Sequence, residues 1–499
     1  MSYTALEGHH RKLAHLRHTE AIVSWDEAAL MPAGGGEARA EALATLRGLI
    51  HECANDARLS DWFAAAESES KGLGVWQAAN LREMRRDWTR ATAIPQELVE
   101  AASRAETKSE QAWRSLRANN DWQGFLPHLR EVVTLKRRVA EALSARLGLG
   151  LYDALLDGYE PGARAAQFAP LFARLREFLP GFIQAVLERQ KSEPVLPVTG
   201  PFDVERQKWL GLELMKRAGF DFNRGRLDSS HHPFCGGVPQ DVRITTRYDA
   251  ADFAKSLMGV LHETGHAKYE QNLPRDWLEQ PVGTARGMSV HESQSLLLEM
   301  QVCRSRAFLA FATPLIVQAF PEASARTPAA FSVDNLFKSA TRVTPSYIRV
   351  DADEATYPCH VVLRFEIEKP LIEGTLRVED IPDAWDAGMR DLLGLSTKDN
   401  FKNGCMQDVH WPAGLFGYFP TYTLGALTAA QLFRAARSAI PDVHAQIEAG
   451  NFAPLDAWLR ENVWGQGSLL DTNALLTRAT GKVLDTQAFE AHLRERYLP

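Results

Sequence analysis

The chain has 499 residues, of which 45% are hydrophobic and 24% are charged, and its formal net charge is -7. This balance is typical of a globular protein and excludes an intrinsically disordered chain. The acidic excess argues against a nucleic-acid-binding protein, which usually carries a basic one.

The N-terminal part of the chain is predicted to be helical. Apolar residues at three- and four-residue spacing predict a helix over 10–32, which ends at its final proline. The glycines at 34–36 lack the context of a phosphate-binding loop, so they predict a turn before a second helix over 37–52. Further amphipathic helices are predicted near Leu126–Leu147 and Pro170–Arg189.

A loop rich in proline and glycine, Ser192–Phe202, follows these helices. It predicts a boundary between an N-terminal helical region, about 1–195, and a second half, about 203–499. Length alone favours roughly three domains. The loop therefore leaves the number of domains open at this point.

Strand signals are few. The β-branched segment Asp241–Tyr248 predicts a strand, and Ser346–Val350 is a second candidate. We expect the first of these strands to offer its edge to an extended peptide. Residues 356–374 are ambiguous, but their length favours a helix that Pro370 kinks or ends. These patterns predict a mainly helical protein with a small sheet of two or three strands.

The cysteines and apolar segments predict a cytoplasmic protein without a membrane partner. Five cysteines are scattered without a C-x-x-C pair, which favours neither a disulfide framework nor a thiolate zinc site. The N-terminal segment lacks the apolar core of a signal peptide. The apolar run within Ala307–Phe320 is broken by Pro314 and is too short to span a bilayer.

The segment HETGH, residues 262–266, predicts a metal site. On a helix, His262 and His266 lie about 40° apart, so both imidazoles reach one ion. Glu263 lies about 100° further round, where its carboxylate suits a base that deprotonates water better than a third ligand. Gly265 removes a side chain between the histidines and lets another element pack close. The competing interpretation is a helix with two buried structural histidines.

A third ligand is expected from a following element, because catalytic zinc sites usually have three protein ligands. The segment 288–300 offers His291, Glu292 and Glu299. Glu292 and Glu299 share one helix face, and spacing alone does not choose between them. Glu292 is favoured because Glu299 lies deeper in an apolar stretch, where it suits a buried carboxylate bonded to a histidine behind the metal.

Six motifs in order resemble the carboxypeptidase Taq family of metallocarboxypeptidases. They are HPF (232–234), DVRIT (241–245), HETGH (262–266), HESQ (291–294), IRVDAD (348–353) and GCMQDVHW (404–411). The N-terminal segment SWDEAALMP and the helix after it are also similar to the family. The resemblance therefore covers essentially the whole chain.

The resemblance implies a single domain over 1–499, overruling the length expectation. Its fold would be two helical walls around a deep groove, like neurolysin and angiotensin-converting enzyme. Zinc, or cobalt in some members, would be held by His262, His266 and Glu292. The implied activity is removal of single residues from peptide C-termini with broad specificity, by a protein that commonly forms homodimers.

Peptide hydrolysis at such a site also requires residues that meet the peptide. His410 and Tyr422 are candidates for stabilising the oxyanion of the scissile carbonyl, with Tyr418 as an alternative. The competing interpretation for both tyrosines is aromatic packing in a loop rich in glycine and proline. His232 either lines the pocket or stabilises a loop.

The terminal carboxylate of a peptide suits an arginine, whose planar fork binds both oxygens. Arg349 is favoured for this role, partly through the resemblance, and its alternative is an ion pair with Asp351 or Asp353. Arg243, beside Asp241, is expected to be structural.

Two other functions remain open to the sequence. An oligopeptidase that cuts peptides internally would use the same groove and zinc without the arginine. A non-catalytic, zinc-bearing peptide-binding protein would have no need of Glu263.

Overall fold

The computed structural model of the protein describes residues 2–230 and 233–499. Within these described ranges, nine helices precede a small sheet: α1 (Ser2–Ala29), α2 (Gly36–Ala54), α3 (Leu59–Ser68), α4 (Val75–Ala91), α5 (Gln96–Ala118), α6 (Trp122–Leu147), α7 (Leu151–Leu156), α8 (Ala165–Gln190) and α9 (Val204–Arg217). The segment between α8 and α9 is a loop, as predicted. Glycines 34–36 lie in a short 3-10 turn and at the start of α2, which confirms the predicted turn before the second helix.

Twelve further helices follow the sheet in the described residues. They are α10 (Phe253–Gln271), α11 (Met288–Leu296), α12 (Arg306–Ala319), α13 (Pro321–Arg326), α14 (Val333–Ala340), α15 (Tyr357–Glu373), α16 (Ile381–Leu393), α17 (Pro420–Ala439), α18 (Val443–Glu448), α19 (Ala453–Asn462), α20 (Thr472–Thr480) and α21 (Gln487–Tyr497). A π-helix, Leu297–Cys303, continues α11. The prediction of a mainly helical fold is confirmed.

The sheet has three strands, β1 (Gly225–Ser229), β2 (Phe234–Val238) and β3 (Asp241–Thr246), in the order β1-β3-β2. β3 pairs parallel with β1 and antiparallel with β2. The predicted strand is thus present, but both its edges are occupied. The expectation that it lends an edge to a peptide is wrong, because β3 is the central strand, with β1 on one side and β2 on the other.

The second predicted strand, Ser346–Val350, is also wrong. The segment is a loop that leads into a 3-10 helix at Arg349–Asp351. The backbone N–H of Arg349 donates to the side chain of Gln407 at 2.8 Å, rather than to a neighbouring strand. Residues 356–374, for which a helix was favoured, contain helix α15. The helix continues through Pro370 and ends three residues later, so the proline neither stops it nor divides it into two.

Apolar packing joins the two halves of the chain through α17. One large cluster combines residues of α5–α8 with residues of α15–α17 and α21. A second combines α9–α12 with α17–α20. Since α17 contributes Leu424 and Leu427 to the first cluster and Leu432 and Phe433 to the second, it is the element around which both pack. This shared core supports the single-domain division, which stays a prediction.

In the described residues, no helix combines the length and apolarity that crossing a bilayer requires. The five cysteines are all free, in agreement with the absence of a disulfide framework predicted from their scattered positions.

Candidate metal centre

Helix α10 presents His262 and His266 to a cavity of about 720 Å³. The helix begins after Asp252, whose carboxylate accepts hydrogen bonds from the backbone N–H groups of Ala254 and Lys255, at 3.0 and 3.2 Å. Such a cap satisfies N–H groups that the first turn leaves without partners. The opposite face of α10 packs on β3, so the helix holds the two imidazoles on a fixed support.

Glu292 on α11 meets both histidines. Its Oε2 atom lies 3.8 Å from Nε2 of His262 and 3.3 Å from Nε2 of His266. One ligand atom from each of these three residues lies within 4.8 Å of the other two. The structure therefore brings together the three residues favoured from the sequence, with the Nε2 atoms converging on one carboxylate.

Two glycines allow this convergence. A Cβ on Gly265 would lie 2.4 Å from the carbonyl oxygen of Gln294 and 2.6 Å from Cα of Ser295, so only glycine lets α11 approach α10 this closely. A Cβ on Gly425 of α17 would lie 2.7 Å from Cγ of Glu292. The close approach expected from Gly265 is thus present, and α17 leaves room for the carboxylate from the other side.

The outer nitrogens of the two histidines have different partners. Nδ1 of His262 lies 3.0 Å from Oε2 of Glu299, and Glu299 also pairs with Arg304 at 2.7 Å. Nδ1 of His266 lies 3.1 Å from the carbonyl oxygen of His291. Glu299, the alternative third ligand, is therefore bonded to the side of His262 that faces away from Glu292. It comes from the π-helix, a rare element that is frequent at functional sites.

The charges around the histidines fit a bound cation. Burial lowers the pKa of His262, but the carboxylates led by Glu292 raise it to about 10. Burial lowers the pKa of His266 to about 4. Burial raises the pKa of Glu292, but His262 and His266 bring it below its ordinary value. A buried carboxylate that favours a positive charge beside two nitrogen donors is the donor set that zinc and similar divalent ions bind.

Glu263 lies next to this cluster and lines the same cavity. Its side chain is buried, with the residue only 8% exposed. Burial raises the pKa of Glu263 to about 7. A carboxyl group in this range suits general acid and base catalysis near neutral pH.

Two tyrosines of the segment that starts α17 reach the cavity. Tyr418 and Tyr422 line it, and Nε2 of His410 lies 3.2 Å from the hydroxyl of Tyr422. Burial lowers the pKa of His410 to about 3, so the imidazole is neutral. His410 therefore contacts the cavity through Tyr422, and the structure brings together the tyrosine and histidine that the sequence proposed as donors.

Arg349 lines the cavity and is buried, 4% exposed. Its Nη2 atom donates to Oδ1 of Asp408 at 2.9 Å, and its Nη1 atom donates to the hydroxyl of Tyr357 at 2.6 Å. The alternative partners considered from the sequence were wrong. Asp351 instead pairs with Lys255 at 3.0 Å, and Asp353 accepts backbone N–H groups.

Asp408 and Arg364 extend this group behind Arg349. Nε of Arg364 donates to Oδ2 of Asp408 at 2.8 Å, and Arg364 is fully buried. Burial raises the pKa of Asp408, but the two arginines hold it far below its usual range. Arg243, in contrast, pairs with Asp241 at 2.7 Å and stacks over Trp25, as expected for a structural arginine.

Several residues that line the cavity or bond to Arg349 behind it were missed from the sequence. Tyr357 and Asp408 lie inside or beside quoted motifs, but spacing gave no sign that Arg349 bonds to both. The edge strand β2 supplies Phe234 and Cys235 to the wall, a position that the composition of its glycine-rich segment did not predict. His232, predicted to line the pocket or stabilise a loop, lies outside the described residues.

Comparison with known proteins agrees with this geometry. The model of the carboxypeptidase Taq (M32) metallopeptidase family matches residues 5–497. The chain belongs to this family. Membership implies a divalent metal, for which the His262, His266 and Glu292 cluster is the candidate site.

Relatives match over their full length. A thermostable carboxypeptidase 1 from Thermus thermophilus is 39% identical over 506 residues, which cover 99% of this chain and 98% of the relative. The structure of Trypanosoma cruzi metallocarboxypeptidase 1 superposes with a TM-score of 0.97 at 42% identity, covering 100% and 99% of the two chains. That of an M32 carboxypeptidase from Deinococcus radiodurans gives 0.94 at 36% identity, covering 99% and 98%.

Proposed function

We propose that this chain is a metal-dependent carboxypeptidase that removes single residues from peptide C-termini with broad specificity. The observation that carries the proposal is the convergence of His262, His266 and Glu292 beside Glu263 in one cavity. The family of the chain and the names of its relatives support the same activity.

The metal would be zinc, with cobalt as a possible replacement. His262 and His266 would bind it through Nε2, since their Nδ1 atoms face other partners. Glu292 would complete the protein ligands. When bound, a divalent ion supplies Lewis acidity to a carbonyl group and a water molecule beside it.

Glu263 is the base in this proposal. Its carboxylate accepts a proton from a water molecule in the cavity and then delivers that proton to the leaving amine. Burial favours this exchange because it raises the pKa of Glu263 to about 7, so that the ionised and the protonated carboxyl group are both accessible near neutral pH.

Tyr422 is the donor proposed for the oxyanion that develops on the scissile carbonyl. Its hydroxyl lines the cavity, and burial keeps it protonated by raising its pKa well above the ordinary value. His410 holds this hydroxyl at 3.2 Å and acts by orienting it. Tyr418, which also lines the cavity, is the alternative donor.

Arg349 is proposed to bind the terminal carboxylate. An arginine has five N–H donors. Asp408 accepts from the single N–H on Nε and from one N–H on Nη2, and the hydroxyl of Tyr357 accepts from one N–H on Nη1. Among the residues that the structure describes, no partner takes the remaining N–H on each Nη atom, so this pair is proposed to meet a substrate carboxylate. Asp408 and Tyr357 fix the plane of the guanidinium, so that a carboxylate meets a donor pair that is already oriented. His232 remains proposed as a residue that contacts substrate.

The protein is further proposed to be a single-domain, cytoplasmic homodimer that takes peptides as substrates. The five free cysteines support a reducing compartment. The family resemblance supports the dimer, which size-exclusion chromatography with light scattering tests.

The function is tested by digesting one peptide in two forms, with a free and with an amidated C-terminus. Mass spectrometry should show loss of single C-terminal residues from the free form and no cleavage of the amidated form. Internal cleavage of both forms would replace the proposal with an oligopeptidase. A protein that binds metal but cleaves neither form would be a non-catalytic peptide-binding protein.

A further inference from the structure

His291 connects two residues of α10 that lie one helical turn apart. Its Nδ1 atom lies 2.6 Å from Nδ1 of His266, and its Nε2 atom lies 2.8 Å from Oε1 of Glu270. The rings of His266 and His291 have centroids 4.7 Å apart. One imidazole from α11 therefore bridges a metal-ligand candidate and a carboxylate on the neighbouring helix.

The contacts among His266, His291 and Glu270 restrict which ring nitrogens carry a hydrogen when Nε2 of His266 is free to bind a metal. A neutral imidazole carries one N–H group and one acceptor nitrogen. If Nε2 of His266 binds the metal, its Nδ1 carries the hydrogen and donates to Nδ1 of His291. The Nε2 atom of His291 then carries a hydrogen, which it donates to Glu270. Glu270, by accepting this hydrogen, fixes the tautomers of both His291 and His266.

We infer that His291 and Glu270 are positioning residues that set the tautomer and orientation of His266 and thereby the affinity of the site for its metal. The inference rests on the proposed metal site. Partners of this kind behind a ligating histidine orient the ring and raise its basicity, and their loss typically weakens metal binding 10- to 100-fold.

His262 has a different arrangement, which makes the comparison informative. It bonds directly to Glu299, and Glu299 is also paired with Arg304. Glu270 pairs with His291 and through it with His266, so its charge reaches the metal ligand across a second imidazole. One metal-ligand candidate, His262, thus bonds directly to a carboxylate, whereas the other, His266, is connected to its carboxylate through His291.

The competing account is that the backbone carbonyl of His291, 3.1 Å from Nδ1 of His266, orients the ring alone. Substituting the side chain of His291 leaves this carbonyl in place, so the two accounts predict different results. A side-chain variant would have no effect on metal affinity if the carbonyl were sufficient.

The test is a titration of metal-free protein with Zn²⁺ in competition with a chromophoric chelator. The variants are Glu270→Gln, His291→Asn and His291→Phe. Glu270→Gln keeps an acceptor but loses the charge, and we expect a Kd about 10-fold higher. His291→Phe removes the first link, and we expect a Kd about 100-fold higher. His291→Asn, whose side-chain oxygen replaces Nδ1 as the acceptor, should lie between them.

Two controls separate positioning from general damage. Glu279→Gln changes a nearby glutamate whose ion pairs with Arg11 and His15 are exposed, and it should leave the Kd unchanged. The visible absorption spectrum of the Co²⁺-loaded protein reports ligand geometry. We expect Glu270→Gln to shift its bands while the melting temperature of the metal-free variant stays that of the wild type.

Unchanged Zn²⁺ affinity and an unchanged Co²⁺ spectrum in Glu270→Gln and in a folded His291→Asn variant would overturn the inference. Failure of the proposed function itself looks different. In that case the wild-type chain would bind Zn²⁺ no more tightly than a His262→Ala variant.

Discussion

Two groups of buried charged residues lie at the same cavity, and ligands of opposite charge would compensate them. The metal-ligand cluster, His262, His266, Glu292 and Glu263, has two carboxylates beside two imidazoles. Although burial lowers the pKa of His262, the carboxylates raise it to about 10, so the cluster favours a positive charge. The arginine cluster, Arg349, Arg364 and Asp408, has two guanidinium groups around one carboxylate, so it lacks negative charge.

Burial makes the difference useful, because a buried charge without a partner is costly. A cation compensates the charge of the metal-ligand cluster, and an anion, such as the terminal carboxylate of a peptide, compensates the charge of the arginine cluster. In the proposed binding mode, a peptide held by its terminal carboxylate at the arginine cluster would present its last amide bond to the metal-ligand cluster, since Arg349, His262 and Glu263 line one cavity. The comparison therefore explains why one cavity suits an exopeptidase.

The largest effect is expected at the metal-ligand cluster from Glu263→Gln. The change removes the base and leaves His262, His266 and Glu292 in place. Because general base catalysis contributes about 10²- to 10⁴-fold, kcat should fall by that factor while the metal content stays at the wild-type level. Steady-state kinetics and elemental analysis check both quantities. Near-full activity would remove Glu263 from the mechanism.

A smaller loss of kcat is expected from Tyr422→Phe. Loss of one oxyanion donor costs about 10²- to 10³-fold in other hydrolases, and we expect kcat to fall towards the lower figure, with little change in KM. Tyr418→Phe is the matched control, since its hydroxyl lines the same cavity. If Tyr418→Phe gives the larger loss, the two tyrosines exchange roles.

The arginine cluster is tested by Arg349→Ala. Losing a buried charge-assisted contact costs about 3 kcal/mol, so kcat/KM for free-carboxylate peptides should fall about 100-fold, chiefly through KM. Metal affinity should be unchanged. Arg226→Ala removes an ion-paired arginine from β1 and should have no effect on either quantity. Loss of metal in Arg349→Ala would mean that the two clusters are not separate.

The smallest effect is expected from Gly265→Ala, at the contact between α10 and α11. In Gly265→Ala the new Cβ meets the backbone of Gln294 and Ser295, so α11 must shift. Overpacking of this kind lowers the free energy of unfolding by about 1–3 kcal/mol. Gly259→Ala, on the same helix, meets only the side chain of Thr246 at 4.0 Å and should be neutral or stabilising. Urea denaturation of the two variants measures the difference.

Much of the helical architecture was predictable, because spacing on one helix is local information. The apolar periodicity predicted α1, α2, α6 and α8, and the position of HETGH predicted two imidazoles on one side of α10. Glycine at 265 predicted a close approach. The glycine did not predict that the element packed against it is the backbone of α11, because the position of α11 depends on how α10 packs against β3 and how α11 packs against α17.

The arginine cluster shows what spacing cannot give. Arg349 and Asp408 are 59 residues apart in the chain. No periodicity relates them, and the acidic residues nearest to Arg349 were the natural choice for an ion pair. Those residues are instead occupied by Lys255 and by backbone N–H groups.

The predicted small sheet of two or three strands is confirmed, but β1 and β2 were not located from the sequence, for a related reason. β1 and β2 are short, and the second contains Gly236 and Gly237, so neither has the β-branched alternation that marks a strand. Leu227 of β1 and Cys235 of β2 pack against the apolar cluster that β3 forms with α10, and such tertiary contacts are not visible in the local sequence of either strand.

The most direct test of the account is the metal content of the purified chain, compared with that of Glu292→Gln after the same dialysis. If His262, His266 and Glu292 hold the ion, the wild-type chain should retain about one divalent ion per chain. The variant should lose it, while its fold by circular dichroism is preserved. Equal retention of metal by the two folded proteins would contradict the assignment of the site.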